Sequence, residues 1–212
     1  MIKTLRNLKN KYFPEKKFRA ARIWSNVELK KISKLFAGDI INVSGWKDED
    51  KQGGVYREYF SNAASYTVSN FGGERGYQGN EIYIDLEAEL PTELCAKYDV
   101  VFNHTTLEHV FNMQIAFKNL CEMSKDVVII VVPFMQEMHF IENSFKDYWR
   151  FTPYAITSLF ESNGMKTVYM AGDTSKDHSI YLLAVGSKHP QKWKDIVFDP
   201  DIFKHFGNNI IR

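Results

Sequence analysis

Two short stretches hold most of the side chains able to do chemistry. The first, Asn103-His104-Thr105-Thr106-Leu107-Glu108-His109, directly follows the apolar run 98–102. The second follows the apolar run 127–132 and contains His139 and then Asp147-Tyr148-Trp149-Arg150. A histidine titrates near about 6.5, so a neutral imidazole can take a proton from a hydroxyl at neutral pH. Amide, hydroxyl, carboxylate and guanidinium groups can orient a ligand, and an indole offers it a flat apolar surface. If both stretches leave neighbouring strands at the same end, they form a mixed aromatic and polar pocket for a small organic molecule. Plainer roles compete: Glu108 and His109 as first-turn helix residues, Trp149 as core, and Asp147 with Arg150 as a loop anchor. His104, His109 and His139 show no recognised metal-ligand spacing, so no metal is expected.

The elements that must place these groups are legible as alternation. Candidate strands lie at 39–43, 65–69, 81–84, 98–102, 127–132, 167–170 and 180–185. The runs at 98–102 and 127–132 are almost wholly apolar and β-branched, which suits parallel strands covered on both faces. Between them Val110, Met113, Phe117, Leu120 and Cys121 follow helical spacing. Thr152-Pro153 reads as an N-cap with proline at the first helical position, and Gly164 ends that helix. Upstream, Ser25 and Glu28 have capping-box spacing and start a helix that Leu29, Ile32, Leu35 and Phe36 continue to Gly38. A short helix is expected around 56–60 and another around 200–206. Strand and helix in alternation give an open α/β sheet, whose ligands sit at the carboxyl ends of the strands.

Composition narrows the class. Of 212 residues 44% are hydrophobic and 15% aromatic, which excludes a disordered chain. No apolar run approaches the roughly 18 residues of a membrane span, no secretory leader is visible, and a cytoplasmic protein is expected. Two cysteines, Cys95 and Cys121, give no disulfide framework. The net charge of +1 hides an asymmetry: residues 1–36 hold eleven Lys and Arg against Glu15 and Glu28, a balance of +9, leaving −8 on the rest. Such an arm could meet an anionic membrane surface, while the acidic body disfavours nucleic acid. The expected division is an arm and helix at 1–37, a domain at 38–187 and a tail at 188–212.

From about Gly38 to Gly186 the sequence resembles class I S-adenosylmethionine-dependent methyltransferases, in particular a small bacterial group often found with surface-glycan biosynthesis. The resemblance is carried by YDVVFNHTTLEHVFN, by VVPF with a spaced His139, and by DYWRFTP leading into LFESNG. It implies a Rossmann-like seven-stranded sheet, mostly parallel, with a reversed last strand at 180–185 and helices on both faces. It implies S-adenosylmethionine as cofactor and a small-molecule or glycan hydroxyl as acceptor. Cofactor contacts would come from Asn42, Ser44 and Gly45 after the first strand, Asn70 after the second, Asp85 and Leu86 near the adenine, and Asn103 and Thr105 near the methionine. The family's glycine-rich turn reads Ser44-Gly45-Trp46 here, and its ribose-binding acid reads Asn70. His139 is the expected general base and His104 the next choice, with Asp147, Trp149 and Arg150 toward the acceptor. A noncatalytic relative that kept the fold as a binding or scaffolding module is the alternative. A nicotinamide dehydrogenase is disfavoured, because no G-x-G-x-x-G follows the first strand.

Overall fold

The computed structural model describes residues 15–72, 81–142, 144–173, 180–196 and 201–206. Seven strands form one sheet: β1 (Ala37–Val43), β2 (Asn62–Asn70), β3 (Glu81–Tyr83), β4 (Tyr98–His104), β5 (Ser124–Met135), β6 (Lys166–Gly172) and β7 (Ile180–Ser187). Their order is β3-β2-β1-β4-β5-β7-β6. Strands β1 to β5 pair in parallel, and β7 runs antiparallel to both β5 and β6. All seven expected strands and the reversed last one are present.

Period-two patterning divides the interior. In β5, Val128, Ile130 and Val132 join one apolar cluster, while Val127, Ile129 and Val131 join the cluster on the opposite face. Among the described residues four α-helices accompany the sheet: α1 (Glu15–Ile32), α2 (Met113–Met123), α3 (Pro153–Ser162) and α4 (Ile202–His205). Phe117 and Leu120 of α2 and Phe160 of α3 belong to the first cluster, Leu29 and Ile32 of α1 to the second. Thr152 caps α3, its hydroxyl accepting from the Ala155 amide at 3.1 Å. The expected helix at 56–60 is a single 3-10 turn, Tyr56–Tyr59.

One element begins elsewhere than expected. The helix does not start at Ser25 but passes through it from Glu15. The Ser25 hydroxyl donates to the Arg22 carbonyl within the helix, and Glu28 reaches outward to the Tyr169 hydroxyl and Lys31 rather than back to a cap. The first fourteen residues of the basic arm lie outside the described residues, as do the glycines at 73, 76 and 79. The described part of the arm is built into the body, since Ala21, Leu29, Ile32 and Phe36 are buried. Among the described residues no helix is long and apolar enough to cross a membrane.

Strand order reverses between β1, which is followed along the chain by its neighbour β2, and β4 on its other side. The carboxyl ends of β1 and β4 therefore flank the crevice where open α/β sheets bind ligands.

Candidate active site

At the end of β1 the backbone turns sharply with Ser44 at φ 56° and Trp46 at φ 52°. Both are in the left-handed region that normally favours glycine, so the turn keeps its shape without the glycines. Asn42 and Asn70 secure it. The Asn42 amide donates to Asp48 Oδ1 at 2.6 Å, and a side chain on Gly45 would strike it. Asn70 accepts from the Trp46 amide at 2.7 Å, donates to the Trp46 carbonyl at 3.0 Å, and also donates to Glu81.

Behind the end of β4 lies a polar knot around Arg22. Its guanidinium donates to His104 Nδ1 at 2.9 Å, Thr105 Oγ1 at 2.9 Å and the Tyr56 hydroxyl at 3.1 Å. A guanidinium only donates, so Nδ1 of His104 accepts and its Nε2–H donates to Ser25 Oγ at 3.0 Å. Burial, then the Arg22 charge, push the His104 pKa well below 6.5. This corrects the reading of His104 as a reserve base: its single lone pair already holds a cation's hydrogen. Thr105 is likewise held by Arg22, and Asn103 donates to the Val43 carbonyl at 2.9 Å.

A cavity of about 840 Å³ opens in front of these strand ends. It is lined by Phe71, Ile84, Asp85 and Leu86 from the ends of β2 and β3, by Ser44 and Thr106 beyond β1 and β4, and by His109, Phe140, Phe145 and Tyr148 from the turn after β4 and the segment after β5. Of the residues expected to contact cofactor, Ser44, Asp85 and Leu86 line it. Asn42, Gly45, Asn70, Asn103 and Thr105 stand behind the lining and hold the strand ends.

The segment after β5 carries the second stretch. Asp147 and Arg150 bind each other in two bonds of 2.5 and 2.8 Å, and Arg150 also donates to the carbonyls of Gln136, Glu137 and Trp149. Burial would raise the Asp147 carboxyl, but the Arg150 bond holds it below the usual range. These bonds pin the segment, and neither Asp147 nor Arg150 lines the cavity. Trp149 sends its indole N–H to the Val110 carbonyl at 2.9 Å, and it is Tyr148 that lines the cavity.

His139 Nδ1 lies 3.0 Å from Asp147 Oδ2, and the Gln136 amide lies 3.2 Å from the same nitrogen. The shorter contact decides the tautomer: an ionised carboxylate can only accept, so Nδ1 carries the proton and Nε2 the lone pair, and the Gln136 amide nitrogen, itself a donor, makes no hydrogen bond to Nδ1. Burial lowers the His139 pKa more than Asp147 raises it, so the ring is neutral at pH 7. The His109 and His139 rings meet edge to face, 4.8 Å between centroids. Beside them, in the turn Leu107–His109, Glu108 is wholly buried and neither carboxylate oxygen has a hydrogen-bond partner. Burial pushes its pKa up to about 8.

Sequence reasoning did not single out Arg22, although a signal existed. Arg22, Ser25, Asn26, Leu29 and Ile32 recur at helical spacing, which places three polar groups on the buried stripe.

No protein-family model matches the chain, and no curated protein sequence matches it. Solved structures do. The magnesium protoporphyrin IX methyltransferase ChlM of Synechocystis PCC 6803, crystallised with bound SAM, aligns at TM-score 0.55 and 14% identity, over 83% of this chain and 84% of that one. An S-adenosylmethionine-dependent methyltransferase from Clostridium acetobutylicum gives 0.57 at 10% identity, over 85% and 98%. The 1,6-didemethyltoxoflavin-N1-methyltransferase of Burkholderia thailandensis, with bound 1,6-didemethyltoxoflavin and S-adenosylhomocysteine, gives 0.54 at 12% identity, over 88% and 89%. At such identities the likeness is one of fold, and the sheet with its reversed β7 is the fold that these S-adenosylmethionine-dependent methyltransferases share.

Proposed function

We propose that the protein is an S-adenosylmethionine-dependent methyltransferase that O-methylates a small-molecule acceptor, sugars and glycans included. The observation that carries this reading is the cavity at the β1 and β4 ends. It joins an apolar wall suited to a purine, Phe71, Ile84 and Leu86 with the Asp85 carboxylate, to a wall bearing His109 beside His139. The neighbours of the same fold were crystallised with SAM or S-adenosylhomocysteine. The cofactor supplies a methyl group on a sulfonium, an electrophile that needs no further activation. Ser44, Asp85 and Leu86 would hold it, on a turn that Asn42 and Asn70 keep rigid.

What remains for the protein is to position the acceptor and take its proton. His139 is the assigned base: Asp147 fixes its tautomer and Nε2 carries the lone pair. The proton leaves the acceptor oxygen for that nitrogen as the oxygen attacks. Replacing His139 by Ala should lower turnover about a hundredfold or more while affinity for S-adenosylhomocysteine stays unchanged.

The deciding experiment is a calorimetric titration with S-adenosylmethionine and S-adenosylhomocysteine. One bound equivalent is expected, with a thermal shift that follows ligand linkage. No heat and no shift at millimolar cofactor would overturn the reading. A noncatalytic binding module is the second reading, favoured by the ties of Asn70 to Trp46 and Glu81; cofactor binding with methyl transfer to no acceptor would select it.

A further inference from the structure

Glu108, His109 and His139 come from two segments and converge at the edge of the cavity. One carboxylate oxygen and one ring nitrogen of each histidine all lie within 4.8 Å of one another. Glu108 Oε1 and His109 Nε2 are 3.8 Å apart. We propose that these three residues bind a divalent transition-metal ion of the zinc, manganese or iron class, whose open coordination positions face the cavity and receive an oxygen of the acceptor.

Three observations support the site independently of one another. Glu108 is wholly buried with both oxygens lacking a hydrogen-bond partner, an arrangement that is destabilising unless something completes it. A cation bound there would displace the proton that burial favours on Glu108 and give both oxygens a partner. Secondly, both histidines have the outer contacts that metal-bound imidazoles use. His109 Nδ1–H donates to the Lys146 carbonyl at 2.7 Å, and His139 Nδ1 is engaged by Asp147, itself clamped by Arg150. The Lys146 carbonyl fixes the His109 tautomer that leaves its Nε2 lone pair for a ligand, and Asp147 orients the His139 ring. Thirdly, His109 lines the cavity, so positions not taken by protein would open toward it.

The donor set chooses the metal class. Two imidazoles and one carboxylate suit zinc, manganese or iron, whereas calcium and magnesium prefer oxygen alone. Metal–nitrogen distances of about 2.0–2.1 Å would bring the donor atoms to roughly 3.3 Å from one another, so the side chains must close by about 0.5 to 1.5 Å. Three protein ligands leave at least one position for an exogenous oxygen. With the His139 lone pair engaged by the metal, the metal takes over the activation that the metal-free site leaves to His139: an acceptor hydroxyl bound there would release its proton more readily, the proton passing to solvent. That use rests on the methyltransferase reading; the site itself does not. The absence of a recognised ligand spacing in sequence is no objection, because Glu108 and His139 lie 31 residues apart and meet only through the fold.

The test uses the full-length, tag-free protein, stripped with chelator and titrated with Co²⁺ and Zn²⁺. One equivalent of Zn²⁺ per chain is expected by elemental analysis, together with a visible Co²⁺ ligand-field spectrum. Glu108→Gln, His109→Ala and His139→Ala should each weaken binding at least tenfold and abolish that spectrum. Circular dichroism of the metal-free variants checks folding, and the near-isosteric Glu108→Gln decides if an alanine variant does not fold. No stoichiometric binding at micromolar metal, or binding unchanged in Glu108→Gln, overturns the proposal. Parallel titration with S-adenosylhomocysteine keeps the two ideas apart: cofactor without metal removes this site and leaves His139 as an unaided base, whereas metal without cofactor removes the methyltransferase reading alone.

Discussion

His104 and Glu108 stand four residues apart at the end of β4, both buried and both ionisable, and they are treated oppositely. Each ring nitrogen of His104 has a matched partner, Arg22 on one side and Ser25 on the other. Neither oxygen of Glu108 has one. A scaffold group is recognisable by complete satisfaction, because an unmet buried polar atom costs stability. The reverse condition marks Glu108 as a group that the fold tolerates for a reason outside the fold. The contrast extends along both stretches: Asn42, Asn70 and Thr105 are held in bonds that shape the strand ends, whereas His109 turns a face to the cavity.

The contrast breaks most visibly at Arg22. Arg22→Met leaves His104, Thr105 and Tyr56 without their donor, and a loss of about 3 kcal/mol is expected from the shift in denaturant midpoint. A loss under about 1 kcal/mol would mean that the knot is not structural. Next in size is the response to acid. With the folded pKa of His104 depressed, the unfolded chain takes up a proton near 6.5 while the folded chain does not. The His104 contribution should then fall as pH drops below about 6.5, by up to about 1.4 kcal/mol per pH unit, and level off below the folded pKa; Glu108, whose pKa is raised to about 8, contributes the opposite sign, so the slope is read in Glu108→Met. Arg22→Met should shorten the pH range over which stability falls, since it removes one of the two causes that depress the histidine. An unchanged pH dependence in His104→Gln would argue that another group carries the effect.

On the other side the sign reverses. Glu108→Met in the metal-free protein removes an unsatisfied carboxyl and should leave stability unchanged or raise it by about 1 kcal/mol, with activity lost. A melting temperature several degrees lower would place Glu108 in the scaffold beside His104. The smallest effect belongs to the β1 turn. Ser44→Gly relieves a left-handed residue and should stabilise by about 0.5 kcal/mol, measured by thermal melting.

What the sequence could disclose follows the range of the interactions. Strands 98–102 and 127–132 are legible because apolar β-branched runs declare burial on both faces by themselves. Thr152-Pro153 and Gly164 mark α3 because caps are made within a turn of chain. Ser25 misleads for the converse reason: the spacing of Ser25 and Glu28 suits a cap, but the hydroxyl's second partner is His104, 79 positions away. Ser44, Asp85 and Leu86 are found at the cavity because strand ends are local features. The roles of Asn70 and Thr105 depend on Trp46 and Arg22, which no local pattern joins to them. Glu108 reads locally as the start of a helix, and only the packing of the sheet shows that it is enclosed.

The backbone carbonyl of Glu108 accepts the amides of both Tyr148 and Trp149, at 2.7 and 3.3 Å. The cavity wall and the buried acid are therefore mechanically one piece. Tyr148 cannot swing outward to admit a bulky ligand without pulling on the peptide unit that carries Glu108. Entry through that wall is geared to the chemistry beneath it, and the Tyr148 amide becomes a reporter: its hydrogen exchange should slow when the cavity is filled and quicken whenever the wall lifts.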